Sequence, residues 1–171
     1  MRVLGIDPGF ATTGYGVVER VSGSLRSVTH GAIRTPPALP QADRLVYLRA
    51  ELQRIIASTG PDAVAIERLF FNANVRTAMS VGQASGVALV TAAEAGLQVT
   101  DYTPTEVKLS VVGVGNAAKA QVQAMVAALL KLTAVPKPAD AADACALAIC
   151  HLNRSGLKRA IATSRRPAAA G

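Results

Sequence analysis

The chain alternates β-rich and helical segments in an order that few arrangements of a sheet and helices accommodate. Three β-rich segments joined by short turns come first, at 3–6, 15–21 and 25–35. Two more follow, each after a stretch with helical periodicity, at 62–67 and 97–102. Short connections favour antiparallel neighbours, whereas strands reached through a helix are parallel. The order β-β-β-α-β-α-β-α therefore predicts an α/β fold with a five-stranded mixed sheet flanked by helices.

Helical periodicity marks the segments between and after these strands. Apolar residues recur at spacings of three and four from Leu45 to Ile56, and a Gly-Pro pair at 60–61 ends that run. On the same grounds we expect helices at 41–58, 75–95, 103–111, 119–132 and 139–153. A chain of 171 residues fits one domain, which we place at 1–157. The remaining segment, 158–171, is a basic tail that we expect to be disordered.

The charge balance of the chain indicates a class of partner. Lys and Arg number 18 against 11 Asp and Glu, which gives a net charge of +7 and a pI of about 10.0. A basic surface attracts polyanions such as nucleic acid or anionic membrane. No apolar run reaches the ~20 residues that span a bilayer, and the first residues lack a cleavable signal pattern. We therefore expect a cytoplasmic protein with no membrane anchor.

Four acidic residues lie on segments that are otherwise apolar. Asp7 and Glu67 each end a β-rich segment, and Asp140 and Asp143 begin the Ala-rich last helix. The i, i+3 spacing of the two aspartates puts both on one helical face. A buried carboxylate is costly unless it is hydrogen-bonded, paired or bound to a cation. Each acid alone has an ordinary explanation, as a turn former, ion-pair partner, helix cap or first-turn acid.

Taken together, the four carboxylates indicate a metal site. Converging carboxylates repel one another unless a cation neutralises them. Mg²⁺ prefers oxygen ligands and completes its shell with water and substrate phosphate. Two such ions, about 3.5–4 Å apart, can activate a water and stabilise the leaving 3′ oxygen of a phosphodiester. The histidines, His30 and His151, complete no nucleophilic triad, and we expect both to be structural.

A series of short motifs runs in order along the chain from Arg2 to about His151 and leaves out the tail. The motifs are Gly5-Ile-Asp7-Pro-Gly9, Thr13-Gly14-Tyr-Gly16, Ala65-Ile-Glu67, Asn74-Val-Arg76, Gly82-Gln83, Val107-Lys108, Val112-Gly-Val-Gly115, Lys119 with Gln121-Val122, and Ala139-Asp-Ala-Ala-Asp-Ala144. Each motif alone is weak, whereas the ordered set is specific. It resembles the RuvC-type Holliday junction resolvases.

The resemblance implies a ribonuclease H-like fold and a crossover junction endodeoxyribonuclease that resolves Holliday junctions in DNA recombination and repair. It implies that Asp7, Glu67, Asp140 and Asp143 are catalytic ligands of Mg²⁺, two ions per active site, with Mn²⁺ as a substitute. It also implies a homodimer that nicks two strands of like polarity symmetrically, with a branch-migration complex of the RuvA and RuvB type as a partner. We place the dimer surface on the helix at 75–95, where small residues allow close packing.

Further positions match residues that meet DNA in the family. Phe70 corresponds to an aromatic that stacks on bases near the junction centre, a contact that contributes about 1–3 kcal/mol per base. Lys108 and Lys119 correspond to basic residues near the scissile phosphate, and Arg76 is a further phosphate contact. The alternative is that Phe70 packs in the core or a dimer interface and that the lysines are solvated residues on helices.

The sequence departs from the family pattern at a few positions. Ser85 stands where many relatives carry Arg, so one phosphate contact is missing or supplied elsewhere. Cys145 stands where an aliphatic residue is usual, which is a small packing change near the metal site. Asp140 is an acid where some relatives have His. These departures leave the catalytic interpretation in place.

Other interpretations remain open from the sequence. Another ribonuclease H-like nuclease, such as one that cuts RNA–DNA hybrids, would share the metals and differ in substrate. An ATPase of the actin-like or sugar-kinase type also carries Asp-x-Gly in its phosphate loop, but its fold needs two such domains. A non-catalytic DNA-binding module would bind through its positive charge alone, and it would bind DNA more tightly without the four acids.

Overall fold

A computed structural model describes residues 1–68 and 75–164, with side chains at 1–68 and 78–156. The strands are β1 (Arg2–Asp7), β2 (Thr12–Val21), β3 (Ser24–Arg34), β4 (Ala63–Glu67) and β5 (Gln98–Tyr102). The helices are α1 (Gln41–Thr59), α2 (Val75–Glu94), α3 (Pro104–Val112), α4 (Lys119–Leu129) and α5 (Ala139–Ser164). Within these residues no helix combines the length and apolarity needed to cross a membrane.

The strands form one sheet of five, in the order β3-β2-β1-β4-β5. β2 pairs antiparallel with β1 and β3, as the short turns between them require. β4 pairs parallel with β1 and β5, and α1 and α2 are the crossovers that make this possible. The predicted mixed sheet flanked by helices is confirmed.

Successive residues along a strand point to opposite faces of the sheet and so pack against different helices. On β1, Val3 belongs to a core shared with α3, α4 and α5, whereas Ile6 belongs to a core shared with α1 and α2. Since side chains alternate along a strand, Asp7 has the parity of Val3 and lies on the α5 side. Glu67 has the parity of Ala65, which also packs on the α5 side. Both strand-borne acids therefore face the helix that carries the other two.

α5 lies unusually close to the sheet because glycines line its path. A Cβ at Gly5 would lie 1.9 Å from the Ala144 carbonyl oxygen, and one at Gly14 would lie 2.0 Å from the Asp140 carbonyl oxygen. No other residue fits at these positions without moving the backbone of the helix. The glycines of β1 and β2 therefore determine how closely α5 packs on the sheet. That distance in turn fixes where Asp140 and Asp143 lie relative to the edge of the sheet.

The largest difference from the prediction is the length of the last helix. α5 continues to Ser164 rather than ending near residue 153, so residues 158–164 are helical where disorder was predicted. Ala, Lys and Arg in this segment are good helix formers. The domain boundary at 157 stays a prediction.

Candidate active site

The carboxyl groups of Asp7 and Glu67 meet at one edge of the sheet. β1 and β4 are parallel neighbours in which Ile6 pairs with Ile66, so the next residue of each strand is an acid. Parallel strands end on the same edge. The two side chains hydrogen-bond to each other, which requires one carboxyl to carry a proton.

The electrostatics of this pair favour the proton on Asp7. Burial raises the pKa of Asp7 to about 8, and the charges of Glu67, Asp143 and Asp140 together with the Glu67 hydrogen bond add to the effect. Burial also raises the pKa of Glu67, while the hydrogen bond from Asp7 opposes that rise. Asp7 is therefore protonated at neutral pH in the ligand-free protein. A cation beside it would favour the ionised carboxylate instead.

The start of α5 brings the other two acids to this edge. Asp143 lines the same cleft as Asp7 and Glu67. Asp140 lies one turn earlier and does not line the cleft, but its charge contributes to the raised pKa of Asp7. The structure thus brings all four predicted acids together, with Asp140 at the margin of the group.

Two lysines face the acids across this cleft, which has a volume of about 440 Å³. Lys119, the first residue of α4, places Nζ 2.6 Å from Asp143 Oδ2, and this contact raises the pKa of the ammonium group. Lys108, on α3, lines the same cleft and forms no ion pair with any side chain that the structure describes. A phosphate in the cleft would lie within reach of both predicted lysines.

The donor set of the cleft suits a hard cation. Asp7, Glu67 and Asp143 offer only carboxylate oxygens, which Mg²⁺ prefers. In the described part of the chain, no three acidic, histidine or cysteine side chains already stand in a metal-binding arrangement. In the ligand-free cleft Asp7 carries a proton and Lys119 pairs with Asp143. A bound cation would displace that proton and compete with the lysine.

Two predicted DNA contacts lie outside the described residues. Phe70 belongs to the segment 69–74, and the Arg76 side chain is likewise not described. Their roles stay predictions. Ser85, which replaces the usual arginine, is buried on α2, so its hydroxyl offers no surface to a phosphate. Cys145 is fully buried on α5 and changes packing only.

The apolar wall of the cleft was not identified from the sequence. Val107 and Val122 come from α3 and α4, and Ala146 and Leu147 follow Asp143 by one turn on α5. Ala146 and Leu147 lie three and four residues after Asp143, a spacing that places them on the same face of α5. This spacing could have indicated from the sequence that they line the cleft. Apolar surroundings lower the local dielectric constant and so strengthen interactions between the charges in the cleft.

Neither histidine takes part in the cleft. His151 Nδ1 lies 3.0 Å from the hydroxyl of Tyr102 in a buried contact between α5 and β5. His30 Nδ1 lies 3.0 Å from Ser27 Oγ on β3. Both side chains are held by polar contacts away from the acids, in agreement with the structural role predicted for them.

Comparison with curated proteins identifies relatives over nearly the whole chain. The family model described as crossover junction endodeoxyribonuclease RuvC matches residues 3–151, a range that includes all four acids. The RuvC endodeoxyribonuclease of Chloroflexus aggregans is 56% identical over 151 residues, which cover 88% of this chain and 92% of that protein. The RuvC endodeoxyribonuclease of Ruminiclostridium cellulolyticum is 52% identical over 153 residues, which cover 90% and 92% of the two chains.

A solved structure has the same fold over the same extent. Thermus thermophilus RuvC, in complex with a Holliday junction substrate, superposes with a TM-score of 0.87 at 36% sequence identity. The superposition covers 92% of this chain and 96% of the other. The family model, the curated relatives and the superposed structure all point to one family. This chain belongs to the RuvC family of crossover junction endodeoxyribonucleases.

Proposed function

We propose that this protein resolves Holliday junctions by hydrolysing phosphodiester bonds at the cleft beside Asp7, Glu67 and Asp143. The observation that carries the proposal is the convergence of carboxyl groups at one edge of the sheet, where burial, together with the charges of the neighbouring acids, raises the pKa of Asp7 to about 8. A site with so much negative potential requires a cation before all its carboxylates can be ionised together. Family membership supports the choice of substrate.

The cofactor in this proposal is Mg²⁺, two ions in each active site, with Mn²⁺ as a substitute. Asp7, Glu67, Asp140 and Asp143 would hold the ions through their carboxylate oxygens. When bound, such ions supply an activated water and stabilise the charge on the leaving oxygen. The oxygen-only donor set of the cleft supports this choice over softer metals.

The lysines position the scissile strand in this mechanism. Lys108 has no ion-pair partner among the described side chains, so its ammonium group is free to hold a phosphate oxygen. Lys119 exchanges Asp143 for the phosphate once the carboxylate has another cation. The apolar wall at Val107 and Val122 excludes water from one side of the cleft and so strengthens both contacts.

The assembly in this proposal is a homodimer that joins through α1 and α2. These helices pack together on the face of the sheet opposite α5, and they expose large apolar side chains. Val46 is 67% exposed, Met79 is 63% exposed and Val90 is 55% exposed. A twofold dimer through this surface presents two equivalent clefts to a twofold junction, which suits symmetric nicking of strands of like polarity.

The remaining assignments rest on family resemblance at matching positions. Phe70 stacks on bases at the centre of the junction, and Arg76 holds a phosphate. A branch-migration complex of the RuvA and RuvB type presents the junction to the dimer, and the compartment is the cytoplasm.

A four-way junction with each strand end-labelled in turn tests the proposal. In Mg²⁺ the protein should give paired nicks at symmetric positions, whereas EDTA or the Asp7→Asn substitution should abolish them and leave junction binding intact. A linear duplex and an RNA–DNA hybrid of the same sequence are the substrate controls. Preferential cutting of the hybrid would indicate a different ribonuclease H-like nuclease. Binding without cutting in either Mg²⁺ or Mn²⁺ would indicate a DNA-binding module.

A further inference from the structure

A second groove, with a volume of about 810 Å³, lies beside the active-site cleft. β3 contributes Arg34, α4 contributes Gln123, and the segment before α5 contributes Pro136 and Lys137. Among the residues that the structure describes, no acidic side chain lines it. The groove is distinct from the cleft that holds Asp7, and the proposed dimer surface on α1 and α2 does not include it.

The groove continues the cleft along two chain segments. Ala120, which lines the groove, directly follows Lys119, which lines the cleft. Ala139, which also lines the groove, directly precedes Asp140. Adjacent Cα atoms lie about 3.8 Å apart, less than the spacing of successive phosphates in an extended strand. The cleft and the groove therefore adjoin at the start of α4.

Arg34 faces the groove from the α5 side of the sheet. It pairs with Thr12 across β2 and β3, two residues from the pair of Gly14 with Ala32. Gly14 lies directly beneath the backbone of Asp140. Because residues two apart in a strand share a face, Arg34 lies on the same face as the start of α5.

The guanidinium of Arg34 is exposed and makes no hydrogen bond, ion pair or ring contact with the described residues. Every other arginine whose side chain is described makes at least one such contact. Lys137 is exposed as well and forms no ion pair within the described part of the chain. The groove therefore carries two positive charges that are not paired with acidic side chains in the described part of the chain.

We propose that this groove binds the sugar–phosphate backbone of one DNA arm, with Arg34 and Lys137 as phosphate contacts. The inference rests on the proposed function, since the arm belongs to the junction that is cut in the adjacent cleft. A free guanidinium matches phosphate oxygens in a bidentate arrangement, and an ammonium adds a point charge. Gln123 offers an amide donor, and the half-buried apolar side chain of Val135 suits the face of a deoxyribose. Such contacts hold the arm without reading its sequence.

A pair of charge-matched double variants tests the proposal. The groove variant carries Arg34→Gln and Lys137→Gln, and the control carries Arg26→Gln and Lys131→Gln, two exposed cations that lie outside both the groove and the helices of the proposed dimer surface. Junction affinity is measured in EDTA over a range of salt concentrations. The groove variant should bind about tenfold more weakly, and its slope of log K against log salt should fall by about 1–2. The control should match the wild type in the slope.

Phosphate-ethylation interference locates the contact on the DNA. In the wild type, interference should include arm phosphates beyond the scissile position, and the groove variant should lose these while keeping interference at the scissile phosphate. Gln123→Glu, which adds a negative charge to the groove and leaves both cations in place, should weaken binding as well. An unchanged slope and footprint in the groove variant, or an equal loss in the control, would overturn the proposal.

Nicking of the same junction by the wild type in Mg²⁺ is measured in parallel. A wild type that binds the junction and fails to nick it would overturn the proposed function alone, because the groove is judged from the salt slope and the footprint. Circular dichroism melts of all variants show that a lost footprint reflects lost contact rather than unfolding. Since the Arg34 side chain makes no hydrogen bond, ion pair or ring contact with the described residues, its substitution should leave the melting temperature within a few degrees of the wild type.

Discussion

The ammonium group of Lys119 lies 2.6 Å from Asp143 Oδ2 and closes one side of the ligand-free cleft. Lys119 begins α4 and Asp143 lies near the start of α5, so the contact joins two helices at the edge of the sheet. The lysine side chain is 62% exposed and the aspartate side chain is 25% exposed, which leaves the pair open to a phosphate and to a cation. This lysine therefore compensates the charge of Asp143 in the ligand-free cleft, and in the proposed mechanism it would hold the substrate phosphate when a cation takes its place.

Replacing Lys119 by Gln should slow junction cleavage by about 10²-fold at saturating protein, because a charge that stabilises the phosphate in the transition state is lost. Binding should weaken less, with a fall of about 1 in the salt slope. Single-turnover rates and junction titrations measure the two effects. Lys131→Gln removes the same charge outside the cleft and should change neither. Equal losses in rate and affinity would indicate that Lys119 contributes to junction binding and not to the chemical step.

Asp7→Asn should stabilise the protein in EDTA, and more so as the pH rises. The pKa of Asp7 is about 8 in the folded protein against 3.8 ordinarily, so the folded chain holds a proton that the unfolded chain releases. The stability of the wild type therefore falls as the pH rises from about 4 to about 8. The Asn variant does not show this fall, because its side chain at position 7 does not titrate. At high pH the variant should be more stable by a few kcal/mol.

Thermal unfolding in EDTA at about pH 5 and about pH 8.5 measures this difference. The gap in Tm between variant and wild type should be wider at the higher pH. Added Mg²⁺ should narrow the gap, because it binds the folded wild type and not the variant. A gap that stays constant with pH would mean that Asp7 is already ionised in the folded protein.

The strand-borne and helix-borne acids could be placed from the sequence because their signals are local. Asp7 and Glu67 each end an apolar strand, and parallel neighbours must bring such ends to one edge. Asp140 and Asp143 share a helical face by spacing alone. The division of the sheet into antiparallel and parallel pairs followed from the lengths of the connections between strands, whereas the strand order itself was not predicted.

Contacts between distant segments could not be placed in this way. No feature near Lys119 indicates that its ammonium group meets Asp143, since the pairing depends on how α4 and α5 cross. Arg34 and Lys137 share a groove only because β3 and the segment before α5 meet at the edge of the sheet. The helix at 158–164 was missed because basic composition was weighed above helix propensity.

Gly5→Ala should destabilise the protein by about 3 kcal/mol or more and displace α5. The added Cβ would lie 1.9 Å from the Ala144 carbonyl oxygen and 2.9 Å from the Ala148 nitrogen, so no side-chain rotation relieves the clash. Gly156→Ala on the same helix, where the nearest atom is 3.9 Å away, should instead stabilise by up to about 1 kcal/mol. Urea unfolding of both variants measures the contrast. Similar effects at the two positions would mean that α5 does not lie as close to β1.

Val90→Asp should dissociate the proposed dimer and uncouple the two nicks that the proposed function requires. Val90 is 55% exposed on α2, and a charge there would have to be buried without a partner when two apolar surfaces join. Light scattering should report the mass of a single chain, and a plasmid cruciform should accumulate singly nicked product before linear product appears. Val21→Asp, at a valine that is 53% exposed on β2, is the matched control and should remain dimeric. If the Val90→Asp protein stays dimeric and nicks both strands together, the dimer interface does not involve this face of α2.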